Sequence, residues 1–421
     1  MARLPPARNR AERDISSSLN AWGIRFMSSD SVSAPAVGAA LPCPPRLLTA
    51  IIVFAAIAPG ILMTAPAVAA QLAAQWQLGP AQIGHLFSTE LGAMSLATLP
   101  AWWWIGRINW RRVATLSALV FIAGNLASAL VQDFTLLLPL RFIASLAGGT
   151  LMILCITCAA GTANPSRVYA FWVLGQLVLG AVGLLVLPPL FAHFGLMAVY
   201  LILAAIMLCC LPLIPAFPNG FTAARAARSG PAASLARKLC AVLAVLTFYI
   251  SLSAVWTFIG GIAAGAGLSP AHSGQVLAVA TLLGIVGAGA AALIGARFGG
   301  GRLIVLGYAL LLASVALLTG QPLLLRFALA ALLFKFTWTF VLPFILARVA
   351  GLDNDGKLMN GINLVIGGGM AIGPTLAGSL IESSGGFNAL LLGALGCALL
   401  SLLLISLASP RAPRRITGGE R

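Results

Sequence analysis

The sequence has 421 residues, of which 60% are hydrophobic and 8% charged, and its net charge is +16. Soluble globular domains contain about 25% charged residues, so this composition excludes an ordinary soluble fold. The apolar residues form long blocks and not the period-two alternation of strands, which argues against a transmembrane barrel. The composition predicts an all-α membrane protein.

Twelve apolar segments follow one another along the chain, and each is long enough to cross a hydrocarbon core of about 30 Å as a helix. They lie at about residues 47–70, 83–105, 113–131, 136–160, 168–190, 195–217, 239–263, 273–295, 303–319, 323–347, 359–381 and 387–408. The predicted organisation is a disordered tail (1–45), a first six-helix bundle (46–217), a polar connection (218–238), a second six-helix bundle (239–408) and a short tail (409–421).

Lys and Arg residues occur only on alternate connections between the segments. All but three of the 25 lie in the two tails or in even-numbered connections. This pattern is typical of a protein with both termini in the cytoplasm. We therefore expect a multi-pass protein of the cytoplasmic (inner) membrane. Because the basic charge reflects topology, we expect no nucleic-acid partner.

An internal repeat relates the first six segments to the last six. "LGPAQIGHL" at 78–86 matches "LSPAHSGQV" at 268–276, and "GTANPSR" at 161–167 aligns with "GLDNDGK" at 351–357, both at an offset of 190 residues. Six helices per copy is an even number, so both copies have the same orientation. Two such repeats predict a central cavity that opens alternately to either side.

This arrangement resembles the major facilitator superfamily over about residues 46–408. "GRINWRR" and "GARFGGGR" resemble the superfamily's motif after the second helix and its repeat, with Gly106 and Ala296 in place of Asp. "LPLRFIASLAGG" resembles its fourth-helix signature through Leu137 and Arg141. Residues to which we assign a gating or structural role are Arg107, Arg111, Arg112, Arg297 and Arg302, together with the repeat mates Arg141 and Arg326.

Lys335 lies inside the tenth segment, where a charge costs about 2.5–3.5 kcal/mol on insertion scales. It is about 18 Å from either end of the helix, too far for its ammonium to reach water easily. Its repeat mate is Thr150, so the scaffold itself does not require the charge. The resemblance implies that segments 1, 4, 7 and 10 line the cavity. The predicted substrate-binding residues are Lys335, Trp338, Thr339, Trp256 and Ser253.

Glu90 is the other interior charge to be explained, and its repeat mate is Ala280. A carboxyl group held away from water takes up a proton more readily than an exposed one. Glu90 is therefore the candidate for proton coupling, and a structural ion pair with Lys335 is the alternative. Amides expected mainly to bond between helices are Asn125, Gln176, Asn360 and Asn363.

The leading functional hypothesis is a proton-coupled secondary transporter of a small organic solute, with Lys335 favouring an organic anion. A drug or metabolite efflux antiporter is the alternative within transport, and a non-transporting receptor or scaffold is the alternative of another class. The sequence shows no nucleophile motif, metal cluster or phosphate-binding loop, so we expect no enzymatic activity, metal or cofactor. The expected partners are a small-molecule substrate, protons and the lipid bilayer, with the protein a monomer.

Overall fold

The computed structural model describes residues 43–220, 234–295, 300–320, 322–353 and 357–408. Within these ranges every regular element is a helix, and each of the twelve predicted segments is helical. Nine helices of the described part are long and apolar enough to cross a membrane. The first and second segments are interrupted, and the helix of the ninth has 17 residues. Nearly all of the two predicted tails and most of the central connection lie outside the described residues.

The helices follow the predicted order. The first repeat contains α1 (Pro45–Ile57), α2 (Gly60–Met63), α3 (Ala65–Trp76), α4 (Pro80–Leu96), α5 (Thr98–Trp104), α6 (Trp110–Leu130), α7 (Phe134–Gly161), α8 (Pro165–Phe194), α9 (Met197–Cys210) and a 3₁₀ helix (Leu211–Ala216). The second repeat contains α10 (Leu235–Gly265), α11 (Pro270–Ile294), α12 (Gly300–Ala316), α13 (Leu324–Ala350), α14 (Lys357–Ser384) and α15 (Asn388–Leu407).

Prolines interrupt the first segment, which consists of α1, α2 and α3. Pro59 precedes α2, and Pro66 is the second residue of α3. Proline has no N–H, so neither residue can donate a helical hydrogen bond to the carbonyl four residues earlier. The carbonyl oxygens of Ala55 and Leu62 therefore need donors from elsewhere.

The connections between helices lie on two faces of the molecule. On one, Arg111 Nε donates to Phe217 O at 2.6 Å, which joins the start of α6 to the end of the sixth segment. On the other, the Ala81 N–H donates to Glu382 Oε2 at 3.1 Å. We call these the basic face and the opposite face, because the first carries the connections rich in Lys and Arg.

Close helix contacts join the two repeats near the opposite face. Gly84 of α4 lies against the carbonyl oxygen of Pro374 in α14, and Gly378 of α14 lies against that of Pro80 in α4. A Cβ atom at either glycine would clash with these backbone atoms. Small residues permit such approach of membrane helices, and here they close the space between the repeats on this side.

The outward surface of the described helices carries many large apolar side chains. Leu130, Leu293 and Leu323 are among the most exposed, and exposed leucines also occur along α8, α11 and α15. So much exposed apolar surface is incompatible with water and suits contact with lipid. The fold is that of a multi-pass membrane protein.

Candidate substrate-binding site

A cavity of about 530 Å³ lies between the two repeats. It extends from Lys335, near the middle of α13, to Trp102 and Ile105 at the end of the second segment, and so it opens toward the basic face. Its wall includes segments 2, 5 and 11 in addition to the four that the family resemblance implied. Its polar lining residues are Ser95, Thr98, Thr157, Gln176, Tyr249, Lys335, Thr339 and Asn363.

The cavity wall combines one charge with a largely apolar surface. Among the described lining residues, Lys335 alone is charged. Four methionines, Met63, Met94, Met152 and Met370, contribute to the wall. Methionine side chains are flexible and polarizable, and they adapt to ligands of different shape. This composition suits a ligand with one negative charge and an apolar body.

Lys335 is buried in an aromatic environment. Its side chain is 3% exposed, and Nζ lies 3.5 Å from the ring centroid of Trp256 and 4.7 Å from that of Trp338. Contact of a desolvated ammonium with aromatic faces stabilises it by about 2 kcal/mol. No carboxylate of the described residues forms an ion pair with Lys335. The rings thus stabilise the charge without neutralising it, which leaves it available to an anion.

The residues that follow Lys335 on α13 share its face, as the helical period predicts. Trp338, Thr339 and Leu342 all line the cavity. The Thr339 hydroxyl donates to Gly284 O on α11 at 2.6 Å, so it also contributes to helix packing. These residues are brought together as expected from the sequence.

Neither of the two predicted residues on α10 is among the described lining residues of the cavity. Trp256 is fully buried and packs edge-to-face against Trp338, with ring centroids 6.4 Å apart. Ser253 does not line the cavity, because its hydroxyl is turned toward α14 and lies 3.3 Å from Gly369 O. Ser253 therefore contributes to helix packing in this structure.

Two side chains donate to the carbonyls that the prolines of the first segment leave without a helical partner. Gln176 Nε2 donates to Ala55 O at 2.9 Å, from within the same repeat. Trp256 Nε1 donates to Leu62 O at 2.9 Å, across the boundary between the repeats. Pro59 and Pro66 were the sequence signal for these bonds, since each removes one helical donor.

Glu90 forms an ion pair with Arg141, and not with Lys335. Arg141 Nε lies 2.8 Å from Glu90 Oε1, and Nη2 lies 3.4 Å from Oε2. Arg141 Nη1 also donates to Asn125 Oδ1 at 2.9 Å, and its Cζ lies 4.7 Å from the ring centroid of Tyr200. The pair is fully inside the first repeat, with both side chains 5% exposed or less.

A thin wall separates this ion pair from the central cavity. A small void of about 10 Å³ touches both Glu90 and Arg141. Leu62, Leu91 and Met94 line this void and also line the central cavity. The volume is close to the space that one water molecule occupies. Glu90 is therefore buried, but only one layer of side chains lies between it and the site of Lys335.

The repeat mates Arg141 and Arg326 have different surroundings. Arg326 Nη2 donates to the carbonyl oxygens of Thr319 and Gly320 in the connection before α13. Glu90 accounts for the difference, because its repeat mate is Ala280 and offers no carboxylate to the second repeat.

The remaining predicted arginines lie outside the cavity wall or outside the described part, whereas two of the predicted amides line the cavity. Arg107 and Arg111 bond to backbone carbonyls near the basic face, and Arg112 and Arg302 are exposed there. Arg297 and the side chain of Asn360 lie outside the described residues. Of the other amides, Gln176 and Asn363 line the cavity, and Asn125 Nδ2 donates to Phe121 O at 2.8 Å.

Comparison with known proteins places this architecture among transporters. The sequence model of the Major Facilitator Superfamily matches residues 48–343. No curated protein sequence is significantly similar to the chain.

Solved structures of similar fold include three transporters. The POT family transporter PepTSo has a TM-score of 0.67 and 12% identity, over 87% of this chain and 98% of its own. A bacterial homologue of the human lysosomal transporter Spinster, in an inward-facing and occupied conformation, has a TM-score of 0.64 and 14% identity, over 88% and 97%. The human organic anion transporter MFSD10 has a TM-score of 0.63 and 16% identity, over 86% and 100%.

The family match covers most of the chain, and the helices, the repeat and the cavity between the repeats agree with it. The protein is a membrane transporter and not an enzyme, and it belongs to the major facilitator superfamily.

Proposed function

We propose that the protein is a secondary active transporter of small organic anions, with Lys335 as the counter-charge for the substrate. The observation that carries this proposal is an ammonium group in a cavity wall whose other described residues are uncharged. An anion entering the cavity would lose its water shell, and a buried cation in contact with two indole rings offsets that cost. Trp338 and Thr339 lie on the same face and would contact the body of the substrate.

A drug or metabolite efflux antiporter remains the alternative. Many exported drugs are lipophilic cations, and these need a carboxylate or an uncharged aromatic pocket. The described lining of the cavity offers no carboxylate, and its ammonium repels a cation. A receptor or scaffold that does not transport is the alternative of another class, and it would show no exchange of solute across a membrane.

Counterflow in proteoliposomes tests the proposal. The probe is radiolabelled 2-naphthoate, an aromatic monocarboxylate, and the competitor is the cation 2-naphthylmethylammonium. We expect exchange of naphthoate that the cation does not inhibit. Inhibition by the cation, with no exchange of the anion, would support the efflux alternative.

Substitutions of Lys335 locate the site. We expect Lys335→Ala to abolish naphthoate exchange and Lys335→Arg to restore it in part, because a planar guanidinium replaces a compact ammonium. Thr150→Ala is the matched control, since Thr150 is the repeat mate and its hydroxyl bonds within its own helix. Undiminished exchange in Lys335→Ala would refute the assignment.

We further propose that Glu90 couples transport to protons. The support is its burial and the single layer of side chains between it and the cavity. Protonation of Glu90 would remove the negative partner of Arg141, and an unpaired buried charge is costly. The conformation of the first repeat would then depend on the proton. Naphthoate uptake driven by an imposed pH gradient tests this in the wild type and in Glu90→Gln.

The charge pattern supports a specific placement of the molecule in the cell. We propose that it lies in the inner membrane as a monomer, with both termini and the basic face in the cytoplasm and without a nucleic-acid partner. The cavity then opens inward. The two repeats would form six-helix bundles that move relative to each other and expose Lys335 to either side in turn.

A further inference from the structure

Trp256 contacts both the cavity cation and the other repeat. The face of its ring lies 3.5 Å from Lys335 Nζ, measured to the centroid. Its indole N–H donates to Leu62 O at 2.9 Å. Trp256 belongs to α10 in the second repeat, and Leu62 belongs to α2 in the first. One buried side chain thus joins the proposed substrate site to the boundary between the repeats.

The bond to Leu62 fills a specific vacancy in the backbone. Leu62 O would normally accept from the N–H of residue 66, but Pro66 has none. Leu62 is buried in apolar surroundings, and besides the indole only the backbone N–H of Thr64, shared with Gly60 O, points to its carbonyl oxygen, so loss of the indole bond is costly. Gln176 fills the comparable vacancy at Ala55, but it does so from the same repeat. The Trp256 bond differs because it is made only while the two repeats are in contact.

The contact around Trp256 belongs to the closed side of the molecule. One helical turn further along α10, Gly260 lies against Pro66 O, and a Cβ there would come within 2.5 Å of that oxygen. Opening the opposite face separates α10 from α3. This movement removes the indole donor from Leu62 O, so the indole bond favours the closed opposite face.

We propose that Trp256 is a positioning residue that links occupancy of the Lys335 site to closure of the opposite face. The proposal rests on the proposed function for its ligand, an organic anion. Without the anion, Lys335 binds the ring of Trp256 and the ring binds Leu62, so a continuous set of contacts crosses the boundary between the repeats. An anion draws the ammonium off the ring, because a charge pair is stronger than a cation–π contact. The ring then keeps its bond to Leu62 and its packing against Trp338, but it loses the contact with the ammonium.

This order of contacts predicts in which direction the anion shifts the opening of the opposite face. Anion binding weakens the contact across the boundary and raises the population with an open opposite face. Loss of one buried hydrogen bond changes an equilibrium constant by about two- to tenfold. Trp256→Phe keeps a ring beneath Lys335 but removes the N–H. It should therefore open the opposite face in the absence of ligand and reduce the further effect of ligand.

Distances between spin labels on the opposite face test the link. The labels are placed on cysteines at Ala74 of α3 and Ala271 of α11, which are both exposed, after replacement of the seven native cysteines. Trp172→Phe is the matched control, because Trp172 also lines the cavity but its indole N–H has no hydrogen-bond partner among the described residues. We expect the long-distance population without ligand to rise at least about twofold in Trp256→Phe and to be unchanged in Trp172→Phe.

Two results would overturn the proposal. One is a ligand-free distance distribution of Trp256→Phe that coincides with that of the parent. The other is equal opening in Trp172→Phe. Hydrogen exchange of α3 in the protein with its native cysteines provides a second measurement, with faster exchange expected in Trp256→Phe alone.

Failure of the proposed function has a different signature. In that case 2-naphthoate neither binds the parent nor changes its distances. The ligand-free comparison of Trp256→Phe with Trp172→Phe still decides whether the indole bond holds the opposite face closed. If naphthoate binds, its effect on the distances in the parent must exceed its effect in Trp256→Phe. Equal effects in both proteins would refute the link to Lys335.

Discussion

Lys335 and Glu90, the two interior charges that the sequence left unexplained, have different surroundings. Lys335 faces the cavity and contacts indole rings, whereas Glu90 forms a buried pair with Arg141. The helical period predicted which residues share the face of Lys335. It did not predict the Glu90–Arg141 pair, because the two residues lie on different helices and no local pattern relates them. The repeat pointed instead to a structural or gating role for both Arg141 and Arg326, which stays a prediction, although their hydrogen-bond partners differ.

A double-mutant cycle separates the structural and coupling roles of Glu90. We expect Glu90→Leu or Arg141→Met alone to destabilise the protein by about 3–5 kcal/mol, because each leaves one buried charge without its partner. The double variant should recover most of this loss, since no charge remains. Thermal unfolding in detergent measures the stability. If Glu90 carries the proton, the stable double variant exchanges naphthoate but no longer responds to a pH gradient. A normal response to the gradient would show that Glu90 has only a structural role.

At the scale of the helix, small residues and prolines decide where the repeats touch. The prolines of the first segment could be read from the sequence as breaks, but their consequence could not, because the donors Gln176 and Trp256 come from distant parts of the chain. The sequence likewise shows where the glycines of α4 and α14 lie, but not which of them face another helix. Only the positions of the backbones show which glycine lies against the backbone of a neighbouring helix and which does not.

Gly84 and Gly92 on α4 provide a matched pair for this point. A Cβ at Gly84 clashes with the backbone of Pro374, whereas one at Gly92 meets Ala371 Cβ at an ordinary 3.7 Å. We expect Gly84→Ala to destabilise the closed opposite face by about 1–3 kcal/mol through overpacking. Gly92→Ala should be neutral or stabilising by up to about 1 kcal/mol, since alanine favours the helix. Thermal unfolding and the distance between labels on the opposite face measure both effects. Equal behaviour of the two variants would show that the α4–α14 contact does not control closure.

For the whole molecule, composition predicted an all-α membrane protein, and the repeat and the resemblance to the major facilitator superfamily predicted its fold. The twelve apolar segments and the alternation of basic connections follow from the requirement that helices cross a lipid layer. The direction in which the cavity opens could not be predicted in this way, because either side can be closed by similar contacts between the same helices. The structure fixes the cavity on the basic face. The orientation of that face in the membrane decides whether this is an inward-open state.

Labelling in intact cells tests the orientation. Single cysteines replace Arg228 in the central connection and Gln132 between α6 and α7, in a background without native cysteines. Gln132 is exposed on the opposite face. The positive-inside rule predicts that a membrane-impermeant maleimide labels the cysteine at 132 in intact cells and the cysteine at 228 only after lysis. The cavity with Lys335 then faces the cytoplasm, and closure of the opposite face seals the outside. Labelling at 228 in intact cells would show that the molecule has the opposite orientation in the membrane. The same cavity would then open to the exterior.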